Sequence, residues 1–179
     1  MVPSDFNPPL RTRVVRIGGV SKETLLSRLQ AARVQLNEAA QALFADSRFT
    51  TQSVSSLVQV VEVTPNALGF PDGATYQEIV ERAATRGLLS CPLELAPHLR
   101  LQFPDQPEGF IGQPASQHRA PPGSITVASA PIGDAEETPK GFYLRRIEGA
   151  LWLRGYRSWP GHNWSPQDVL VFSRPINAA

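Results

Sequence analysis

The stretch 142-FYLRRIEGALWLRGY-156 holds two runs of alternating apolar and polar side chains on either side of Glu148-Gly149. Alternation at a period of two marks a half-buried strand, and a short X-Gly step between two such runs closes a β-hairpin. With Glu148-Gly149 as the turn, Ile147 faces Ala150, Arg145 faces Trp152 and Tyr143 faces Arg154. One face then carries Phe142, Leu144, Leu151 and Leu153, which belong in a core. The other carries Tyr143, Arg145, Trp152, Arg154 and Tyr156, interleaving rings with guanidinium groups. Such a face can satisfy itself through cation–π contacts, and it can equally hold an anion or stack a base.

The next residues extend this signal. The loop 157-RSWPGHNWSP-166 adds Trp159, His162 and Trp164, so all 3 tryptophans of the chain fall between positions 152 and 164. Between Lys140 and Arg157 there are 5 basic residues and 1 acid, Glu148, the only local basic excess. Tyr143, Arg145, Trp152, Arg154, Trp159, His162 and Trp164 are therefore the candidate ligand-binding set.

Further from the hairpin, 124-SITVASAPI-132 and 168-DVLVFSR-174 read as strands, as do 13-RVVRI-17 and the β-branched run 58-VQVVEV-63. Helices precede residue 90. Ser21 caps 22-KETLLSRLQAAR-33, Asn37 caps 38-EAAQALFAD-46, and Thr75 with Glu78 forms a capping box for a helix ended by Gly87. The segment from Pro104 to Gly123 is too rich in proline and glycine for regular structure, and residues 1–12 read as an extended tail. The expectation is an α+β fold: N-terminal helices packed against a mainly antiparallel sheet formed largely by the C-terminal half, in a single domain over residues 13–179.

Bulk properties narrow the function classes. Among 179 residues, 17 basic and 16 acidic groups leave a net charge of +1, so no global field draws the chain to nucleic acid or an anionic membrane. Hydrophobic residues at 41% suffice for a real core. A single cysteine excludes an intrachain disulfide framework and a Cys-based zinc site. No apolar run is long enough to span a bilayer and no secretory h-region opens the chain, so the expected location is the cytoplasm. No P-loop, G-x-G-x-x-G, H-E-x-x-H or G-x-S-x-G motif occurs, and no cofactor or metal is expected. The helix 38–46 has two acids and no basic residue, which removes a helix-turn-helix reading.

A second constellation lies in 91-CPLELAPHLRLQFPDQPEG-109. Read as a strand, it sets Glu94, His98, Arg100 and Gln102 on one face and leucines on the other. A carboxylate beside a histidine can orient it as a general base, and Arg100 can hold an anion, so these three residues form the candidate catalytic set. The polar side of an ordinary one-sided strand would look the same, and Pro97 suggests a sheet edge. The proline-rich segment that starts at Pro104 is positioned to close over the row. Cys91, followed by Pro92 and apolar neighbours, reads as a small buried hydrophobe rather than a nucleophile.

At 69-GFPDGAT-75, 87-GLLSCPLELAPHLRLQFPDQPEG-109 and 139-PKGFYLRRIEGALWLRGY-156 the chain resembles a family of uncharacterised single-domain bacterial proteins, some of which carry a helicase label. The match runs from about residue 18 onward. The resemblance implies a bacterial source and a single domain, and it implies no catalytic residues. A helicase needs a nucleotide-binding P-loop and a motor core, and neither is present in the sequence.

The leading expectation is a non-enzymatic binding module that uses the hairpin's Arg/aromatic face and loop 157–166 to contact a protein or a small anionic ligand. The alternative is a small hydrolase- or lyase-like enzyme using Glu94, His98 and Arg100. Single-stranded nucleic-acid binding comes third, disfavoured by the near-zero net charge.

Overall fold

The hairpin forms in the register expected from its sequence: Ile147 opposite Ala150, Arg145 opposite Trp152 and Tyr143 opposite Arg154. Glu148 and Gly149 both take positive φ, 51° and 75°, the mirror-image turn that matches the twist of the flanking strands. A computed structural model describes residues 11–110 and 120–176. Residues 1–10 of the expected tail, and 111–119 of the proline-rich segment, lie outside the described residues.

In chain order the elements are β1 (Arg11–Ile17), α1 (Lys22–Ala31), β2 (Gln35–Leu36), α2 (Glu38–Ala45), β3 (Ser56–Val63), β4 (Ala74–Thr75) and α3 (Tyr76–Thr85). There follow α4 (Leu95–Gln102), β5 (Ile125–Val127), β6 (Gly141–Ile147), β7 (Ala150–Tyr156), β8 (Asn163–Trp164) and β9 (Val169–Arg174). Seven strands make one sheet in the order β1-β3-β9-β5-β6-β7-β2, and β4 pairs with β8 in a small ribbon. The pairings β5–β9 and β2–β7 are parallel and the other four in the large sheet are antiparallel.

The α+β class is as expected, with two corrections. The strands expected at 13–17 and 58–63 form as β1 and β3, but β1 begins at Arg11, inside the expected tail. The stretch 93–103 is not a strand but contains α4; only Leu89 and Cys91 before it run extended, as single bridges to Ser173 and Ser129. Leu95, Leu99 and Phe103, four residues apart, form the buried stripe of that segment. Pro97 is the third helical residue, where its missing N–H would have had no partner in any case.

The sheet carries two cores, one on each face, and β3 and β9 feed both. Val15, Val60, Val127, Phe142, Leu144, Leu153 and Val171 meet residues of α1, α2 and α4 on one face. Val61, Val63, Leu170 and Phe172 meet Ile79 and Ala83 of α3, with Leu68, Leu88 and Trp164, on the other. Through strand alternation, the face carrying α3 is also the face of Tyr143, Arg145, Trp152 and Arg154.

Local signals position these helices. Thr75 and Glu78 form the complete capping box of α3. Asn37 caps α2 through Ala40 N–H, and its side chain also bonds both the N–H and the C=O of Gly155 on β7. There α2 rests on bare backbone, because a Cβ at Gly155 would stand 2.6 Å from the carbonyl carbon of Ala39 and 2.7 Å from the nitrogen of Ala40.

Candidate functional site

Glu94, His98 and Arg100 do not form one site. On a helix, residues two apart point roughly 200° away from each other, and the side chains diverge accordingly. Glu94, His98 and Gln102, four apart, face β1, the outermost strand of the sheet. Gln102 Oε1 accepts from Arg16 N–H at 3.0 Å and its Nε2 donates to Arg16 C=O at 2.8 Å. His98 Nε2 accepts from Gly18 N–H at 3.2 Å, and Glu94 Oε1 accepts from Gln52 N–H at 2.9 Å. These side chains satisfy backbone groups along the free edge of β1 and beside it, the role a further strand would otherwise fill.

This use of the histidine constrains its chemistry. Nε2 lies 3.6 Å from Glu94 Oε2, yet the same nitrogen accepts the Gly18 amide, so its lone pair is occupied and the ring proton sits on Nδ1. Burial pushes the His98 imidazolium down, with Arg28 adding to the effect, and pushes the Glu94 carboxyl up against the pull of the Gln52 and Gly18 amides.

Arg100 points to the opposite side and is 1% exposed. Its guanidinium donates to Phe103 C=O at the end of α4, to Gln106 Oε1 at 2.6 Å and to Trp152 C=O at 3.4 Å. Burial, with Arg146 and Arg13 nearby, lowers it to about 10. Gln106 in turn donates to Gly123 C=O and Leu144 C=O. The described part of the proline-rich segment therefore closes over Arg100, not over Glu94 and His98. Cys91 is buried and its thiol is pushed up to about 12 by desolvation, so almost no thiolate forms near neutral pH.

The hairpin face does converge. A cavity of about 350 Å³ is lined by Tyr143, Arg145 and Arg154 from the hairpin and by Arg157, Trp159, His162 and Trp164 from the loop that follows. Thr126, Tyr156, Ala120 and Pro121 complete the side that faces β5. Six of the seven sequence-predicted ligand residues thus meet around one hollow. Trp152 does not line it but stands behind it, with the Arg154 guanidinium 4.9 Å from its ring centre. Trp164 is 4% exposed and Trp159 is 48% exposed, so the two rings form a buried and an open part of the wall. His162 links them, with ring centres 4.9 Å from Trp159 and 5.4 Å from Trp164.

The electrostatics of this hollow are one-sided. It has three arginines and no carboxylate among its lining residues. Arg157 Nε donates to Glu137 C=O at 2.8 Å, and Arg145 reaches Phe110 C=O at 3.5 Å. The buried Nε groups of Arg145 and Arg154, and the indole Nε1 of Trp164, meet no acceptor among the described residues. The same is true of the Nε groups of Arg13, Arg100 and Arg146, which do not line the hollow. Thr126 was legible as a neighbour only through pairing of β5 with β6, which sets it opposite Tyr143.

Among the described residues there is no group of three or more His, Cys, Asp or Glu side chains placed to hold a metal ion, and no helix is long and apolar enough to cross a membrane. Comparison of the chain with family models, curated proteins and solved structures finds no match.

Proposed function

We propose that this chain is a binding module, without chemistry of its own, for a small anionic ligand held in the hollow between the hairpin and loop 157–164. The observation that carries this reading is the hollow itself, lined by Arg145, Arg154 and Arg157 with no acid to balance them. A carboxylate or phosphate would supply the missing countercharge and accept from the guanidinium groups that line the hollow. The volume, about 350 Å³, lies in the range of small-molecule sites. Trp152 and Tyr143, stacked with Arg154, hold that guanidinium in place before the ligand arrives.

The enzyme alternative draws less support, since Glu94 and His98 are occupied with backbone groups and Arg100 lies on the far side of the helix. The resemblance noted in the sequence contributes no residue roles. A nucleic-acid strand would need a basic track rather than a single hollow, and the chain's net charge is only +1.

The test is calorimetric titration with inorganic phosphate, pyrophosphate and citrate, repeated on Arg145→Ala and Arg154→Ala. Loss of a charge-assisted hydrogen bond of about 1.5–3 kcal/mol weakens binding by roughly 10- to 100-fold. Absence of binding by any of these anions at millimolar concentration would overturn the proposal. So would binding that both substitutions leave unchanged. Preference for a single-stranded oligonucleotide, with a steep salt slope, would replace it with the strand-binding reading.

A further inference from the structure

The geometry points to a ligand with two unlike ends: a single anionic group in the arginine hollow, and a flat apolar ring system extending past Trp159 into an adjoining cavity. This inference rests on the anion-site reading above and narrows it to a chemical class.

The second cavity, about 690 Å³, lies between the first turn of α3, the segment 131–140 and loop 157–164. It shares Tyr156, Ser158, Trp159 and Trp164 with the arginine hollow, so the same two indoles border both spaces. Its chemistry is different. Tyr76, Pro131, Pro160 and the two tryptophans give it broad, flat apolar walls. The Tyr76 hydroxyl is already turned away, donating to Ser129 C=O at 2.8 Å, and the Tyr76 and Trp164 ring centres are 6.2 Å apart.

Charge at the second cavity has the opposite bias. It contains no arginine, and Asp134 and Glu136 stand exposed at its rim. Its one cation, Lys140, is taken up by the carbonyls of Gly133 and Ala135, at 3.1 and 2.8 Å. A second anionic group would be repelled there, whereas an uncharged ring would find rings and prolines to pack against. The half-exposed face of Trp159 is the natural stacking partner at the junction. Covering about 100 Å² of apolar surface in this way raises affinity by roughly 10- to 100-fold over the anionic group alone.

Three probes separate the two ends: methyl phosphate, 1-naphthyl phosphate and the uncharged 1-naphthol, each titrated calorimetrically. Gln77→Trp and Pro131→Trp obstruct the second cavity at residues that do not line the first. Gln77 is exposed and bonds only Glu81 within its own helix. Thermal melts establish that each variant is folded.

The expected result is that naphthyl phosphate binds 10- to 100-fold more tightly than methyl phosphate and that naphthol binds far more weakly than either. Either obstruction should reduce naphthyl phosphate to the level of methyl phosphate and leave methyl phosphate unchanged. Equal binding of the two phosphates, or indifference of naphthyl phosphate to both obstructions, overturns the two-ended ligand while the anion site stands. Tight binding of naphthol overturns it too, since the ring would then need no anion. If neither phosphate binds, the anion-site reading itself falls.

Discussion

Gly155→Ala tests whether the polar clamp between Asn37 and Gly155 depends on direct backbone contact. A methyl group at this position would stand 2.6–2.8 Å from three backbone atoms of Ala39 and Ala40. Ordinary contact begins near 3.4 Å, so α2 must retreat by more than half an ångström. It cannot do so freely, because Asn37 bonds Gly155 N–H at 2.8 Å and Gly155 C=O at 3.0 Å. Overpacking of this kind costs about 1–3 kcal/mol, and each strained hydrogen bond about 1 kcal/mol more. The expected total is about 3–5 kcal/mol, which lowers the melting temperature by roughly 6–20 °C for a chain of this size. Urea denaturation followed by circular dichroism reads it directly as a lower midpoint at unchanged slope. Asn37→Ala alone should cost about 1–2 kcal/mol, and the double variant should cost less than the sum because the two changes act on one contact. A Gly155→Ala midpoint within about 0.5 kcal/mol of the native protein would refute the close-approach argument, as would strict additivity with Asn37→Ala.

Stability should also depend on His98. The unfolded imidazole takes up a proton near its ordinary value of about 6.5, while the folded one, lowered by burial and by Arg28, does so only at lower pH. Its contribution is therefore fully present above pH 6.5 and is lost as pH falls, with a slope approaching about 1.4 kcal/mol per pH unit. Chemical denaturation at pH 7.5, 6.5 and 5.5 should show His98→Gln with a flatter dependence than the native chain; parallel curves would contradict this. Helices α1 and α3 offer a matched pair, because both end in the same motif. Val34 N–H bonds Leu29 C=O and Leu88 N–H bonds Ala83 C=O, but the left-handed residue is Arg33 in one case and Gly87 in the other. Arg33→Gly should stabilise by roughly 0.5–1 kcal/mol and Gly87→Ala should destabilise by about 1 kcal/mol, both read from thermal melts.

What the sequence made legible was what local spacing determines. The hairpin register follows from Glu148-Gly149 and the alternation around it, and the capping residues Ser21, Asn37 and Thr75 each stand where a helix begins. Residues 93–103 carry a false strand signal because Glu94, His98 and Gln102 satisfy two periods at once, every second residue and every fourth. Leu95, Leu99 and Phe103 at four-residue spacing, with Pro97 tolerated in a first turn, carried the helical signal. The Arg/aromatic face was visible in the hairpin alone. That loop 157–164 folds back over it was not, because β8 is held by two residues of β4 some ninety positions earlier. Long-range pairings of this kind leave no local trace.

Strand β9 follows every other strand in the chain, yet it lies inside the sheet, between β3 and β5. Until it is synthesised, β1–β3 and β5–β6–β7–β2 are two half-sheets, each exposing a bare strand edge where β9 belongs. Completion of the sheet is therefore a late, high-contact-order step, and the half-assembled chain is the species most exposed to strand exchange with its neighbours. Substitutions in Val169–Arg174 should then govern yield on expression more strongly than equally buried changes in the hairpin, because they act on the step that joins the halves.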